Sequence, residues 1–203
     1  MKTLGEGKAN GAISILHSLG LGKGSSIGIE LFTEVTIVDE KKEVIADSHG
    51  LLEAIESWWR SEGLPTPQKF GWEVNSSVPI GQGLKSSSAL ASAALRALNN
   101  CSWAGLSLSE LADLSVKAQR IANCTVTGSM DDTWASLAPG WKLVDPNFNA
   151  HESVIIQGEI EQDLSVLIGL RGKRLVEISK ESFLSLIHIS EPTRPRLISY
   201  AVF

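Results

Sequence analysis

The 203-residue chain has two cysteines, one tyrosine and no apolar run approaching the roughly 18 to 20 residues needed to cross a bilayer. Cys101 and Cys124 show no CxxC spacing, so a disulfide scaffold is excluded and the pair reads as buried thiols. The opening MKTLGEGKANGAIS lacks the apolar region of a signal peptide, and the chain reads as cytoplasmic with no membrane partner. An excess of positive charge is also missing. Eighteen Lys and Arg stand against 23 Asp and Glu, a net charge of -5, so no nucleic-acid partner is expected and any anionic ligand must be held by local geometry. What is present, 43% hydrophobic and 20% charged residues, excludes disorder and collagen and supports a core for one large domain or two small ones.

The patterning is that of an α+β protein. Alternation through Ile27, Ile29 and Leu31 and on to Val35 and Ile37 predicts a strand, paired with a preceding one through Ala12 to Leu16. Leu51, Leu52, Ile55, Trp58 and Trp59 fall at helical spacing, closed by Gly63 and Pro65. Lys69 to Val78 alternates as a strand. From Ser86 to about Asn100 a stripe of Ala89, Leu90, Ala93, Ala94, Ala97 and Leu98 predicts a helix able to pack closely. Ser107 and Glu110 have capping-box spacing before another helix carrying Leu111, Leu114, Ala118 and Ile121 inward. Strands are expected around Trp141 to Val144 and Ser153 to Gln157, and Leu164 to Leu170 reads as the first strand of a second unit.

The chemistry concentrates in two segments. In Pro79, Ile80, Gly81, Gln82, Gly83, Leu84, Lys85, Ser86, Ser87, Ser88 and Ala89, glycines let backbone N–H groups converge ahead of a helix N-terminus, and three hydroxyls follow. Such a loop suits a polyphosphate, with a flexible serine-capped turn as the alternative. It is neither a Walker A loop nor a dinucleotide fingerprint, because the glycine spacing fits neither. The second segment is TVTGSMDDTWAS, where Asp131 and Asp132 precede a helix. Each is suited to be an N-cap, and either could orient or deprotonate a hydroxyl or hold Mg²⁺ in phosphoryl transfer. Lys85 could neutralise phosphate charge or be a solvated loop lysine. His17 and His151 have no partner pattern.

Taken whole, Pro79, Gly83-Leu84 and Ser86-Ser87-Ser88-Ala89 at the head of an alanine-rich helix resemble the phosphate loop of the galactokinase, homoserine kinase, mevalonate kinase and phosphomevalonate kinase superfamily. GLKSSSA is most similar to that of the archaeal type of shikimate kinase, as are GKANGAISILHSLGLGKGSSIGIEL and TVTGSMDDTWAS. His17 departs from this pattern, standing where an amide is expected, and Met130 and Trp134 are bulkier than usual. The resemblance implies a ribosomal-protein-like N-terminal domain over 1–158 and a ferredoxin-like C-terminal domain beginning at 159–183. It also implies ATP and Mg²⁺ as cofactors and shikimate as the acceptor, with another small-alcohol kinase of the superfamily, for homoserine or mevalonate, or a non-catalytic nucleotide-binding module as the alternatives. Asp131, Asp132 and Lys85 would be catalytic, with Asp131 across the loop's cavity. Pro79, Gly81, Gly83, Leu84, Lys85, Ser86, Ser87, Ser88 and Ala89 would hold ATP, and Ser87 or Ser88 the metal.

The last twenty residues, LSLIHISEPTRPRLISYAVF from Leu184 to Phe203, resemble a reading frame through a transposase-type sequencing adapter. Pro192 and Pro195 forbid a helix there, and the apolar residues keep no steady period. The expectation is an artefactual tail on the N-terminal part of a longer enzyme, leaving an incomplete sheet and impaired activity in the fragment.

Overall fold

A computed structural model describes residues 2–40, 44, 47, 49–125, 127–160 and 164–169. The elements run β1 (Thr3–Leu16), α1 (Ser18–Leu21), β2 (Gly24–Val38), α2 (Leu51–Ser61), β3 (Gly71–Ser76), α3 (Ser86–Ser102), α4 (Leu108–Ile121), α5 (Met130–Leu137), β4 (Trp141–Val144), α6 (Ala150–Ser153) and β5 (Val154–Gly158). All strand pairings are antiparallel. β1 runs along one edge of β2, with Ile13 opposite Ile27 and Gly7 opposite Val35. Along the other edge, β4 pairs with Gly24 to Ile27 and β3 with Thr33 to Val38, while β5 pairs with β4. Helices and an antiparallel sheet in one layered unit make the fold α+β.

The helices follow from their sequences. In α2 the stripe of Leu51, Leu52, Ile55 and Trp59 is buried. α4 begins with the expected capping box: Ser107 Oγ accepts from the Glu110 N–H at 3.3 Å, and Glu110 Oε2 accepts from the Ser107 N–H at 2.8 Å. α3 and α5 lie directly on β1 and β2, and α4 packs against α2, α3 and α5.

Small residues set the distance between the layers. A Cβ built on Gly28 would stand 2.7 Å from the Ala135 carbonyl oxygen of α5, and one on Gly7 would overlap the Ala93 carbonyl oxygen of α3. Arg96 of α3 then clasps the assembly, donating to the Lys8 and Leu137 carbonyl oxygens at 2.8 and 2.5 Å.

β1 begins much earlier than Ala12, at Thr3, because Gly5, Gly7 and Ala9 carry too little side chain to show a two-residue period. The strand expected at Leu164 to Leu170 is corrected. Residues 164–169 form no regular element and Leu167 is 99% exposed; an apolar run becomes a strand only with a hydrogen-bonding neighbour, and among the described residues none pairs with it. Leu170 and the tail from Leu184 to Phe203 lie outside the described residues.

Gly7→Ala should cost about 1–3 kcal/mol in urea unfolding, since α3 and β1 must separate. Gly20→Ala, where a Cβ meets nothing within 4 Å, should stay within about 0.5 kcal/mol of the parent. Equal effects at the two positions would contradict close packing of α3 on β1.

Candidate active site

The loop between β3 and α3 has positive φ at every second residue: 70° at Gly81, 78° at Gly83 and 61° at Lys85. Alternation of this kind turns successive backbone N–H groups toward one point and makes a concavity for an anion. Glycine takes up the left-handed conformation freely; Lys85 does so at a cost of order 1 kcal/mol and becomes the N-cap of α3 without a side-chain capping bond. The first N–H groups of α3, on Ser86, Ser87 and Ser88, have no intrahelical acceptor by helix geometry and add the positive end of the macrodipole. The loop is nonetheless fixed. Leu84 is buried with Ile29, Val78 and Ala89, and its carbonyl oxygen accepts from the Ala12 N–H at 3.1 Å.

Gly81, Ser86 and Ser87 line a cavity of about 240 Å³. Its opposite walls bring Thr33, Val74, Leu90 and Asn123, together with Asp47, whose carboxylate caps α2 by accepting from Leu51 and Leu52 N–H at 2.8 Å each. Ser88 points elsewhere. It is 1% exposed and donates to Gln119 Oε1 at 3.0 Å, while Gln119 Nε2 donates to Ser115 at 3.2 Å and to Thr133 at 3.1 Å. Gln119 thereby ties the first turn of α3 to the first turn of α5.

Asp131 and Asp132 stand in that first turn of α5, each 6% exposed. Neither is an N-cap. Ser129, at φ 52°, holds that position without a side-chain capping bond, and the carboxylates occupy the second and third helical positions, where the dipole favours them. Ser26 of β2 donates to Asp131 Oδ2 at 3.1 Å and to Asp132 Oδ1 at 2.8 Å. Lys85 Nζ lies 3.2 Å from Asp132 Oδ2. Gly24 leaves room for Asp131, since a Cβ there would stand 2.6 Å from the carboxylate carbon. The acid pair therefore meets the loop at Lys85 and does not line the 240 Å³ cavity.

Charge is unevenly shared in this cluster. Burial first, then the neighbouring Asp132, pushes the Asp131 carboxyl up to about 6, against the opposing pull of Lys85 and Ser26. His17 lies within electrostatic range of Lys85 and Asp132; burial and then Lys85 lower its pKa. Its Nδ1 accepts from the Leu19 N–H at 3.3 Å and caps α1. Ser26, Gly24 and Gln119 were not legible as site residues. Ser26 sits in an ordinary strand and Gln119 beside a helix's apolar stripe, and only the tertiary pairing gives them a role. His151 lines a different cavity, of about 570 Å³.

The pKa of Asp131 has a consequence for stability. An unfolded chain titrates this group at its ordinary value of 3.8, so between about pH 4 and 6 the folded state binds the proton more tightly. Stability must fall as pH rises through that window, with the penalty complete above it. Asp131→Asn should therefore raise stability by about 1–3 kcal/mol at pH 7.5 and bring no gain near pH 4. Denaturant titration at both pH values checks this; an equal gain at both would show that ionisation of Asp131 opposes nothing.

Residues 49–140 match the model of the GHMP kinases N terminal domain, a stretch that contains both the loop and the acid pair. A shikimate kinase from Pyrococcus abyssi is 32% identical over 189 residues, 87% of this chain and 66% of that protein. The chain thus spans just under two thirds of that relative's length. Solved structures share the fold. Lactococcus lactis galactokinase complexed with galactose superposes with a TM-score of 0.60 at 15% identity, covering 71% of this chain and 45% of that one. A structure described as MDDEF in complex with MVAPP, AMPPCP and magnesium gives 0.54 at 16% identity, covering 77% and 50%. The sequence matches place the chain among the GHMP kinases, and the solved structures share its fold.

Proposed function

We propose that this chain supplies the ATP-binding domain and part of the acceptor site of a cytoplasmic shikimate kinase, an enzyme that phosphorylates the 3-hydroxyl of shikimate from ATP. One observation carries the reading: a buried acid pair is joined through Lys85 to a loop of alternating positive φ at the head of a helix. The name borne by the 32% identical Pyrococcus abyssi relative supports the choice of acceptor. Residues 159–183 are proposed to begin a second domain.

The loop residues Pro79 to Ala89 receive the phosphates, with backbone N–H groups of the nest and of Ser86 and Ser87 as donors. The half-apolar cavity beside Ser86 and Ser87 takes the rest of the nucleotide. Magnesium keeps most of its ligands as phosphate oxygens and water. The loop hydroxyls fit it unequally: Ser87, which lines the cavity, would offer the ion a hydroxyl oxygen, whereas Ser88 is 1% exposed and does not line it. When bound, the ion neutralises charge on the transferring phosphoryl group.

Asp131 serves as base. As the acceptor oxygen bonds to the γ-phosphorus and the bridging P–O bond to ADP breaks, the hydroxyl proton passes to the Asp131 carboxylate. A carboxyl raised to about 6 is more basic than an ordinary aspartate yet ionised at neutral pH. Asp132, paired with Lys85, orients Ser26 and holds the lysine at the loop.

The test is phosphoryl transfer by an enzyme of the relatives' full length carrying these residues. Shikimate should exceed homoserine and mevalonate in kcat/KM, and Asp131→Asn should lower kcat by about 10²-fold or more. A preference for homoserine or mevalonate would replace the acceptor. Unchanged turnover in Asp131→Asn would remove the base, and ATP binding without transfer to any alcohol would leave a nucleotide-binding module.

A further inference from the structure

The larger cavity, of about 570 Å³, contains none of the loop or acid-pair residues. It opens between the start of α4, the far end of α5, α6 and the β4–β5 hairpin, where Ser109, Trp134, Lys142, His151 and Gln157 supply its polar and aromatic lining. In a chain of net charge -5, no residue of this lining is acidic. Glu152 follows His151 in α6 but does not line the space.

Lys142 is the most informative member. Its Nζ lies 5.3 Å from the centre of the Trp134 ring, a cation–π contact, and no carboxylate lies within salt-bridge distance of it among the described residues. Burial lowers its pKa from the usual lysine value. A partly desolvated ammonium without an anion is costly, and a cavity of several hundred cubic ångströms with few convergent polar groups is the usual form of a small-molecule site. The remaining walls, Leu108, Ala138, Ala150 and Val154, are apolar.

We infer that this cavity binds a small organic anion, an apolar body carrying one phosphate or carboxylate, with Lys142 as the charged anchor. His151, Ser109 and Gln157 offer further polar contacts, and Leu108, Ala138, Ala150 and Val154 meet the apolar body. The Trp134 indole N–H is already turned to Ser153 Oγ, at 3.4 Å, so the ring edge is fixed before any ligand enters. Trp134 stands three residues beyond Asp131 on α5 and Ala138 is the residue that closes that helix, which places the occupant against the helix that carries the acid pair. The inference does not depend on the identity of the phosphoryl acceptor.

The test titrates the 203-residue chain with phenyl phosphate, benzoate and the neutral benzyl alcohol, reading the ¹H–¹⁵N resonance of the Trp134 indole. Saturable binding of phenyl phosphate or benzoate, at least tenfold tighter than benzyl alcohol, is expected; the stronger of the two anions identifies the headgroup. Lys142→Met should weaken the anion at least tenfold, Lys142→Arg should keep affinity within about threefold, and Ser87→Ala in the loop cavity should leave it unchanged. If Lys142→Met does not fold, His151→Ala, at an exposed position, replaces it with an expected loss of threefold or more. Equal binding of the neutral alcohol, affinity indifferent to Lys142 and His151, or binding abolished by Ser87→Ala would overturn the site.

Discussion

Two consecutive carboxylates cannot both enter a protein interior unless something nearby makes their charge tolerable, and that constraint organises the centre of this molecule. Asp131 and Asp132 are each 6% exposed. The compensation comes from three separate stretches of chain: Ser26 on β2, Lys85 before α3, and the N-terminal end of α5 itself. Isolated ionised carboxylates lose several kcal/mol on leaving water, so none of these stretches can move away without exposing the cost. Gly24 belongs to the same requirement in steric form, because the Asp131 carboxylate occupies the volume where a Cβ would stand.

A second, neutral network stiffens the arrangement. Gln119 is fully buried and bonds Ser88, Ser115 and Thr133, which joins the opening turns of α3 and α5 through α4. A satisfied buried amide is worth modest net energy, whereas unmaking it leaves several polar groups without partners. The left-handed Lys85 is held from both sides: Leu84 before it is buried and hydrogen-bonded to β1, and Ser88 after it is bonded to Gln119. Strain at a loop survives where its surroundings fix it, and here the strained residue is the one that carries the ammonium to Asp132.

The legibility of this structure follows its periodicities. α2 and α4 could be read because each buries one face and leaves another wet, α3 from the helical spacing of its alanines and leucines although Ser88 to Leu95 are all buried, and β2 and β3 from their alternation. α5 could not be delimited: all eight residues from Met130 to Leu137 are buried, so no polar face marks its phase, and the acidic pair resembles a cap when it is in fact inside the first turn. β1 was read only in part because its glycines face α3. The loop was legible as a glycine turn feeding a helix N-terminus, and the acid pair from its resemblance to a known motif. Their meeting was not legible, since Ser26 lies 105 residues from Asp131 and carries no local signal. Lys85 shows the same limit. Its two readings, solvated or paired, are separated only by the 3.2 Å contact with Asp132.

The asymmetry within the acid pair argues for a division of labour. Lys85 approaches Asp132, and both carboxylates share Ser26, so Asp132 has the closer positive charge and Asp131 the larger uncompensated burial. A proton offered to the pair is therefore taken by Asp131, whose carboxyl is raised to about 6. The choice of base in the proposed reaction thus depends on which carboxylate the left-handed turn at Lys85 lets the ammonium reach. That turn is one of the three positive-φ positions of the loop. A single backbone conformation accordingly sets both the course of the loop and the reach of its ammonium to the acid pair.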